Sequence, residues 1–273
     1  MSDKADQGFA IEPPSREKGR RPQTINVIVF GETGVGKSAV VNLIAQQVIA
    51  GVSSDVNPCT MTSIPYNVSF SSDGPYFRIF DTAGLNVPDL SPKSHLDAIE
   101  KAYDLFIKLK DAGGAHLLLF CMRLGHITST TVNNYRLFVE FSFQKRVPVG
   151  VVVTNCENET DVEGWWARNE PGIVNKHGIR SDGHACVTAV TNGTSAENRR
   201  YRASQQKVRE LLKYFLEEDA FLPDEADWLG MTGKGIKSFT KSETLKKKDV
   251  EKVLKRLKLG SESIKRILAI MME

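Results

Sequence analysis

No apolar run in this sequence is long enough to cross a bilayer. The longest, His116–Met122 and Val147–Val153, fall well short of the roughly 20 residues that a spanning helix needs. The first twenty residues are polar and contain proline, so no secretory segment follows Met1, and neither end carries a myristoylation or prenylation signature. Cysteine is sparse: Cys59, Cys121, Cys156 and Cys186 are scattered without a Cys-x-x-Cys pair, which argues against zinc and against a disulfide framework. A reducing compartment is the simpler inference, and a cytoplasmic location is expected. The sequons at Asn67, Asn158 and Asn192 then count as chance matches. No Ser/His/Asp set and no His/Cys cluster is spaced for hydrolysis or zinc.

What is present is an uneven charge distribution and a repeated alternation of short apolar runs with helical patterns. The net charge is +3, yet Thr232 to Glu273 holds twelve Lys/Arg against five Asp/Glu, so this tail carries +7 and the rest −4. Residues 1–23 lack apolar periodicity and read as a disordered arm. From Thr24 the chain alternates. Ile25–Phe30, His116–Met122, Val149–Val153 and Ala185–Val190 read as buried strands. Ile64–Phe70 and Tyr76–Phe80 read as a hairpin across Ser71-Ser72-Asp73-Gly74-Pro75. Helices are predicted over Ser38–Ile49, His95–Leu109, Thr130–Phe143, around Trp165-Trp166, and over Tyr201–Glu217. This pattern predicts a three-layer α/β body over residues 24–218, with a mostly parallel sheet and one antiparallel edge strand.

The segment Gly31-Glu32-Thr33-Gly34-Val35-Gly36-Lys37-Ser38 fits Gly-x-x-x-x-Gly-Lys-[Ser/Thr] in full, between a predicted strand and a predicted helix. Its glycines let backbone N–H groups converge on phosphate, and the helix that follows through Ala39 adds the positive end of its dipole. In such a loop Lys37 reaches the β- and γ-phosphates and the Ser38 hydroxyl ligates Mg²⁺. A plain glycine turn between strand and helix is the bland alternative. A second marker, Ile79-Phe80-Asp81-Thr82-Ala83-Gly84, ends a predicted strand about 45 residues later. There Asp81 is placed to hold Mg²⁺ through water and the Gly84 N–H to meet the γ-phosphate.

With these two motifs the chain resembles translation-factor-class GTPases of the P-loop NTPase fold, and among them the septin, Toc and GIMAP branch. Its nearest likeness is to the small G-domain proteins of mushroom-forming fungi. The resemblance covers roughly residues 24–218. It implies GTP and GDP as ligands, Mg²⁺ as cofactor, and slow GTP hydrolysis in which Lys37, Thr60 and Gly84 take part. It also implies a switch threonine in Asn57-Pro58-Cys59-Thr60-Met61-Thr62; Thr60 is chosen as a third metal-side residue with Ser38 and Asp81, and Thr62 competes for the role. The family's base-reading Asn/Thr-Lys-x-Asp corresponds to Thr154-Asn155-Cys156-Glu157. Glu157 can accept from guanine, but Asn155 replaces the lysine that flanks the base. Cys186-Val187-Thr188-Ala189 resembles the last base-contacting loop, with the backbone N–H groups of Thr188 and Ala189 facing the guanine oxygen. Leu85 stands where many GTPases carry a water-orienting Gln. Asn86 to Lys93 and Arg123 are open candidates for that role, and the resemblance also implies a homodimer across the nucleotide face.

Trp165 and Trp166 are adjacent on a helix and cannot share a face, so one is expected in the core. Gly230 to Gly235 reads as a break within a linker over residues 219–240. Beyond it, Leu245, Val250, Val253, Leu254 and Leu257, then Ile264, Ile267, Leu268 and Met271, form two amphipathic stripes in a basic helical segment, residues 241–273. That segment reads as a hairpin docked on the body, or as a surface for a protein partner or an anionic membrane; no nucleic-acid motif accompanies it. Two rival functions stay open: a nucleotide-binding interaction module without useful hydrolysis, motivated by Leu85 and Asn155, and a P-loop ATPase.

Overall fold

The computed structural model describes residues 24–51, 64–71, 74–82, 92–125, 127–189, 193–239 and 246–273. The expected N-terminal arm, Thr60, Thr62, Gly84, Leu85 and the side chains of Asn86 to Lys93 lie outside the described residues.

Six strands form one sheet in the order β2-β3-β1-β4-β5-β6. The β-branched run of β1 (Thr24–Gly31) pairs in parallel with β3 (Tyr76–Asp81) on one side and β4 (Leu117–Arg123) on the other. A strand flanked on both edges and covered on both faces must be apolar throughout, and Ile25 to Phe30 is fully buried. β5 (Val149–Thr154) and β6 (Gly183–Cys186) continue the parallel run. β2 (Ile64–Ser69) returns antiparallel on β3 as the edge strand expected from the hairpin signal.

Period-two alternation along β1 divides the core. Ile25, Val27 and Val29 face α1 (Lys37–Ala45) and α5 (Ser195–Tyr214). Ile28 and Phe30 face the layer built by α2 (Pro92–Ala112), α3 (Ser129–Arg136) and α4 (Val162–His177). Asn26 shares that second face, fully buried, and satisfies the end of α2: its Nδ2 donates to the carbonyls of Ala112 and Gly114 at 2.8 and 2.7 Å. The helix predicted over Thr130–Phe143 is α3 followed by a π-helical turn, Leu137–Ser142. Of the two tryptophans, Trp166 is buried and stacks on His184 at 4.4 Å, while Trp165 is partly exposed.

The segment expected as a linker, residues 219–240, instead contains helix α6 (Glu225–Phe239). Its glycines are points of close approach rather than breaks. A methyl group on Gly230 would lie 2.8 Å from Ile270 Cβ, one on Gly233 would lie 2.6 Å from Met271 Sδ, and one on Gly235 would lie 2.8 Å from the Phe141 ring. Trp228 is fully buried, donates from Nε1 to the Ala102 carbonyl at 3.0 Å, and meets the Phe143 ring edge-on. The two basic helices α7 (Lys247–Arg256) and α8 (Ser261–Met272) bury the stripes Val250, Val253, Leu254 and Ile264, Ile267, Leu268, Met271 in the same cluster. Arg266 pairs with Asp224 and Asp227, and Arg256 with Glu100 of α2. Among the described residues, no helix is long and apolar enough to cross a membrane.

Candidate functional site

β1 ends at Gly31, and the chain loops through Glu32 to Gly36 into α1 at the carboxyl end of the sheet, where open α/β folds bind ligands. Gly34 and Gly36 hold φ of 78° and 92°, values that let successive N–H groups turn inward. Gly36 is the N-cap of α1. It supplies no side-chain cap and the first turn holds no acidic residue, so the positive end of the helix is not neutralised from within. Thr33 and Gly34 reach the surface, Val35 is buried, and Glu32, Gly36 and Ala39 are half-buried.

Lys37 is folded back over the loop, its Nζ donating to the carbonyls of Gly31 at 3.1 Å and Glu32 at 2.8 Å. Burial holds its ammonium below the usual pKa, opposed by the nearby Asp81 charge. The Ser38 hydroxyl donates to Asp81 Oδ2 at 2.9 Å. Asp81 is buried at the end of β3, and desolvation raises its pKa although Ser38 and Lys37 both pull it down. Its Oδ1 has no hydrogen-bond partner among the described residues. Thr82 pins this strand end to β1, its hydroxyl donating to the Val29 carbonyl at 2.9 Å. Lys37, Ser38 and Asp81 thus converge. Arg123, the other candidate the sequence singled out, stands exposed at the end of β4.

The far end of the site is assembled by β5 and β6. Thr154 is buried and donates to the Val35 carbonyl at 2.7 Å, which ties the phosphate loop to the end of β5. Asn155 turns the chain with φ of 62° and is exposed; Glu157 is half-buried, and its carbonyl accepts from Arg200 of α5. The Cys156 N–H donates to the Val187 carbonyl at 3.3 Å, so the 154–157 and 187–189 loops lie side by side. The Thr188 N–H, expected to face a ligand, donates to Ser204 Oγ at 2.9 Å instead. Ala189, the other residue singled out there, is half-buried next to it.

Two contacts escaped the sequence reading. The Glu32 carboxylate accepts from the hydroxyls of Thr128 and Thr131, the latter at 2.7 Å. Those threonines form the capping box that starts α3. The run Thr128-Ser129-Thr130-Thr131 carries a capping signal, but nothing in it points to Glu32, 96 residues earlier in the chain. Ser204 comes from the middle of α5 and has no local signature at all.

The family model described as "50S ribosome-binding GTPase" matches residues 26–155, just under half of the chain. GTPase Der of Pelotomaculum thermopropionicum is 32% identical over 110 residues, which is 40% of this chain and 23% of that protein. The match therefore spans about a quarter of the relative's length. Among solved structures, a dimerization-deficient mutant of Toc33 from Arabidopsis thaliana superposes with a TM-score of 0.52 at 13% identity, covering 73% of this chain and 88% of that one. Era of Aquifex aeolicus gives 0.49 at 16% identity, covering 74% and 60%. Residues 26–155 of this chain are thus similar to that GTPase family, with the Gly31–Ser38 loop at the carboxyl end of a mostly parallel sheet and a fold shared with Toc33.

Proposed function

We propose that the chain is a Mg²⁺-dependent guanine-nucleotide switch that hydrolyses GTP slowly. The observation that carries this reading is the pairing of Ser38 with Asp81 beside Lys37. A buried carboxylate with one oxygen held at 2.9 Å by a serine and the other unpartnered is a costly arrangement unless a cation completes it. The donor set of serine hydroxyl and carboxylate is the hard oxygen chemistry that Mg²⁺ takes. Ser38 and Asp81 would hold the metal with Thr60, and the metal would supply charge neutralisation at the phosphates.

In this reading the amides of Glu32 to Ala39 hold the phosphates, and Gly84 meets the terminal one. Lys37 leaves the Gly31 and Glu32 carbonyls to reach the β- and γ-oxygens, so nucleotide entry exchanges two neutral acceptors for charged ones. Glu157 reads the base. Thr154 and Asn155 shape its pocket, and Ala189 rather than Thr188 supplies the N–H for the guanine oxygen. A second copy across the nucleotide face belongs to the same proposal, because Toc33, whose fold is shared, is studied as a dimerization-deficient mutant. The basic helices α7 and α8 are its candidate surface for a protein partner or anionic membrane.

Equilibrium binding of fluorescent GDP, GTP and ATP analogues, with and without Mg²⁺, tests the reading. Guanine-selective binding that Mg²⁺ strengthens and Lys37→Ala abolishes is expected; equal affinity for ATP would refute the role of Glu157. A second reading, nucleotide binding without useful hydrolysis, is favoured by Leu85 in the place of a water-orienting Gln. Single-turnover phosphate release at high protein concentration separates the two, since a complete absence of release leaves only the binding module.

A further inference from the structure

Cys156 stands on the 154–157 loop and Cys186 ends β6 just before the 187–189 loop, and neither takes part in the reading of the base end. Cys186 pairs with Val153 in the β5–β6 ladder, and three residues after Val153 the chain has turned at Asn155 so that the Cys156 N–H meets the carbonyl of Val187, the residue after Cys186. The two residues are thus one step from a direct ladder pair. The two thiols are close enough to share a hydrogen bond, and a disulfide asks for Cα atoms about 4.4–6.8 Å apart. Both side chains are buried, yet both border one cleft of about 170 Å³ whose rim includes Thr188, Arg200, Ser204 and Lys207. That cleft has room for a small neutral oxidant beside both residues, and Arg200 and Lys207 line it.

We propose that Cys156 and Cys186 form a dithiol site for oxidation by hydroperoxides, closing to a disulfide that ties the 154–157 loop to the 187–189 loop. The Cys156 thiolate attacks the terminal peroxide oxygen; the O–O bond breaks, the leaving oxygen takes a proton, and Cys156 becomes a sulfenic acid. The Cys186 sulfur then attacks the sulfenic sulfur; the S–S bond forms, the S–O bond breaks, and water leaves with the Cys186 proton. With hydrogen peroxide, two thiols give up two electrons to one peroxide and two waters are produced. The order of attack follows from the surroundings. The adjacent Cys186 thiol, a backbone hydrogen bond from Val187 and the charge of Lys207 hold Cys156 below the usual thiol range, against burial and Glu157. Cys186 is pushed up, first by its bond to Cys156 and then by burial. The roles of Cys156 as attacking thiol and Cys186 as resolving thiol belong to the proposal, and trapping of a sulfenic acid in the Cys186 variants tests them.

The consequence for nucleotide rests on the base-site reading above. A covalent tie between the loops restricts the opening through which a base leaves, so nucleotide release is slower from the oxidised protein than from the reduced one. The test uses the full chain under native conditions, treated with hydrogen peroxide, quenched with an alkylating agent and mapped by mass spectrometry. A Cys156–Cys186 linked peptide lacking two hydrogens is expected. In Cys186→Ser and Cys186→Ala, Cys156 should instead be trapped by a sulfenic-acid reagent, with thermal unfolding run on both to show that they are folded. Recovery of Cys156 and Cys186 as free thiols while other cysteines oxidise would overturn the site. Release of a fluorescent GDP analogue, measured on oxidised and reduced protein, reads the consequence separately. A disulfide without a change in release would overturn the coupling. Failure of the reduced protein to bind nucleotide would overturn the base-site reading and leave the mass measurement to decide the dithiol site.

Discussion

Gly31 and Gly34 of the Gly31–Ser38 loop should fail in different ways, and replacing each with alanine separates folding from ligand binding. Gly31 sits opposite Cys121 in the β1–β4 ladder with φ of 144°, and a Cβ there would lie 2.2 Å from the Cys121 carbonyl oxygen. The clash is with ladder backbone, so no side-chain rotation relieves it. Overpacking of this kind costs about 1–3 kcal/mol, and holding a non-glycine residue in a sparsely populated backbone region costs about 1–3 kcal/mol more. The sum, roughly 2–6 kcal/mol, is a large part of the ~5–15 kcal/mol that holds a domain together. At about 2–4 °C per kcal/mol for a domain of this size, Gly31→Ala should lower the thermal midpoint by on the order of 10 °C. Gly34, with φ of 78°, has no atom within 4 Å of a built Cβ. Gly34→Ala therefore carries only the left-handed strain, about 1–2 kcal/mol and a few degrees. Yet it adds a methyl group where the backbone must come up to phosphate, so nucleotide affinity should fall at least tenfold. Thermal unfolding without ligand and binding of a fluorescent GDP analogue read the two effects. Equal midpoints for the two variants would refute the reasoning, because the 2.2 Å contact predicts that they cannot be equal.

Three further outcomes follow from other contacts. Asp81 has a folded pKa raised above 3.8, so its contribution to ligand-free stability is fully present below that value and is lost as pH rises through the folded one. Asp81→Asn should thus gain on the wild type as pH climbs from 3.8 toward neutrality in nucleotide-free unfolding, and a constant gap would contradict it. Glu32→Ala and Thr131→Val remove the same 2.7 Å bond, and a double-mutant cycle should return a coupling of about 1 kcal/mol; strict additivity would deny the link between the phosphate loop and α3. Trp228→Ala empties a fully buried site on α6 and should cost about 3–5 kcal/mol, whereas a shift within a degree would return residues 219–240 to the status of a linker.

Much of the fold was legible because its signals are local. The β-branched run Ile25–Phe30, the hairpin sequence Ser71 to Pro75 and the Gly31–Ser38 spacing each state their conformation within a few residues. The limits of β1, β3, β4 and β5 fall within one or two residues of the expected ones. Helix α6 was not legible for the converse reason. Three glycines within six residues carry a helix penalty of about 1 kcal/mol each relative to alanine, and a local rule reads them as a break. In the folded chain that penalty is offset by α8 and the π-helical turn, which approach closely enough to leave no room for a methyl group at Gly230, Gly233 or Gly235. Glycine means a left-handed turn beside open space at 34, ladder contact at 31 and helix contact at 230–235, and only the tertiary surroundings distinguish these.

The same division runs through the candidate site. Lys37, Ser38 and Asp81 were found because each belongs to a motif whose spacing encodes its position, and the 2.9 Å bond from Ser38 to Asp81 brings the last two together across 43 residues. The base end depends on helix α5, which reaches back to the sheet through Ser204 and Arg200. No spacing within 154–157 or 186–189 encodes that return, so the engagement of the Thr188 N–H could not be anticipated. The consequence is physical as well as interpretive. In the proposed base site, one of the two expected amides is already satisfied, which leaves less hydrogen-bonding capacity for a guanine oxygen and would rest discrimination against adenine more heavily on the Glu157 carboxylate. Removing that carboxylate with Glu157→Gln should then narrow the difference between guanine and adenine nucleotides far more than it changes binding of the phosphates, and Ser204→Ala, by freeing the Thr188 N–H, should widen it.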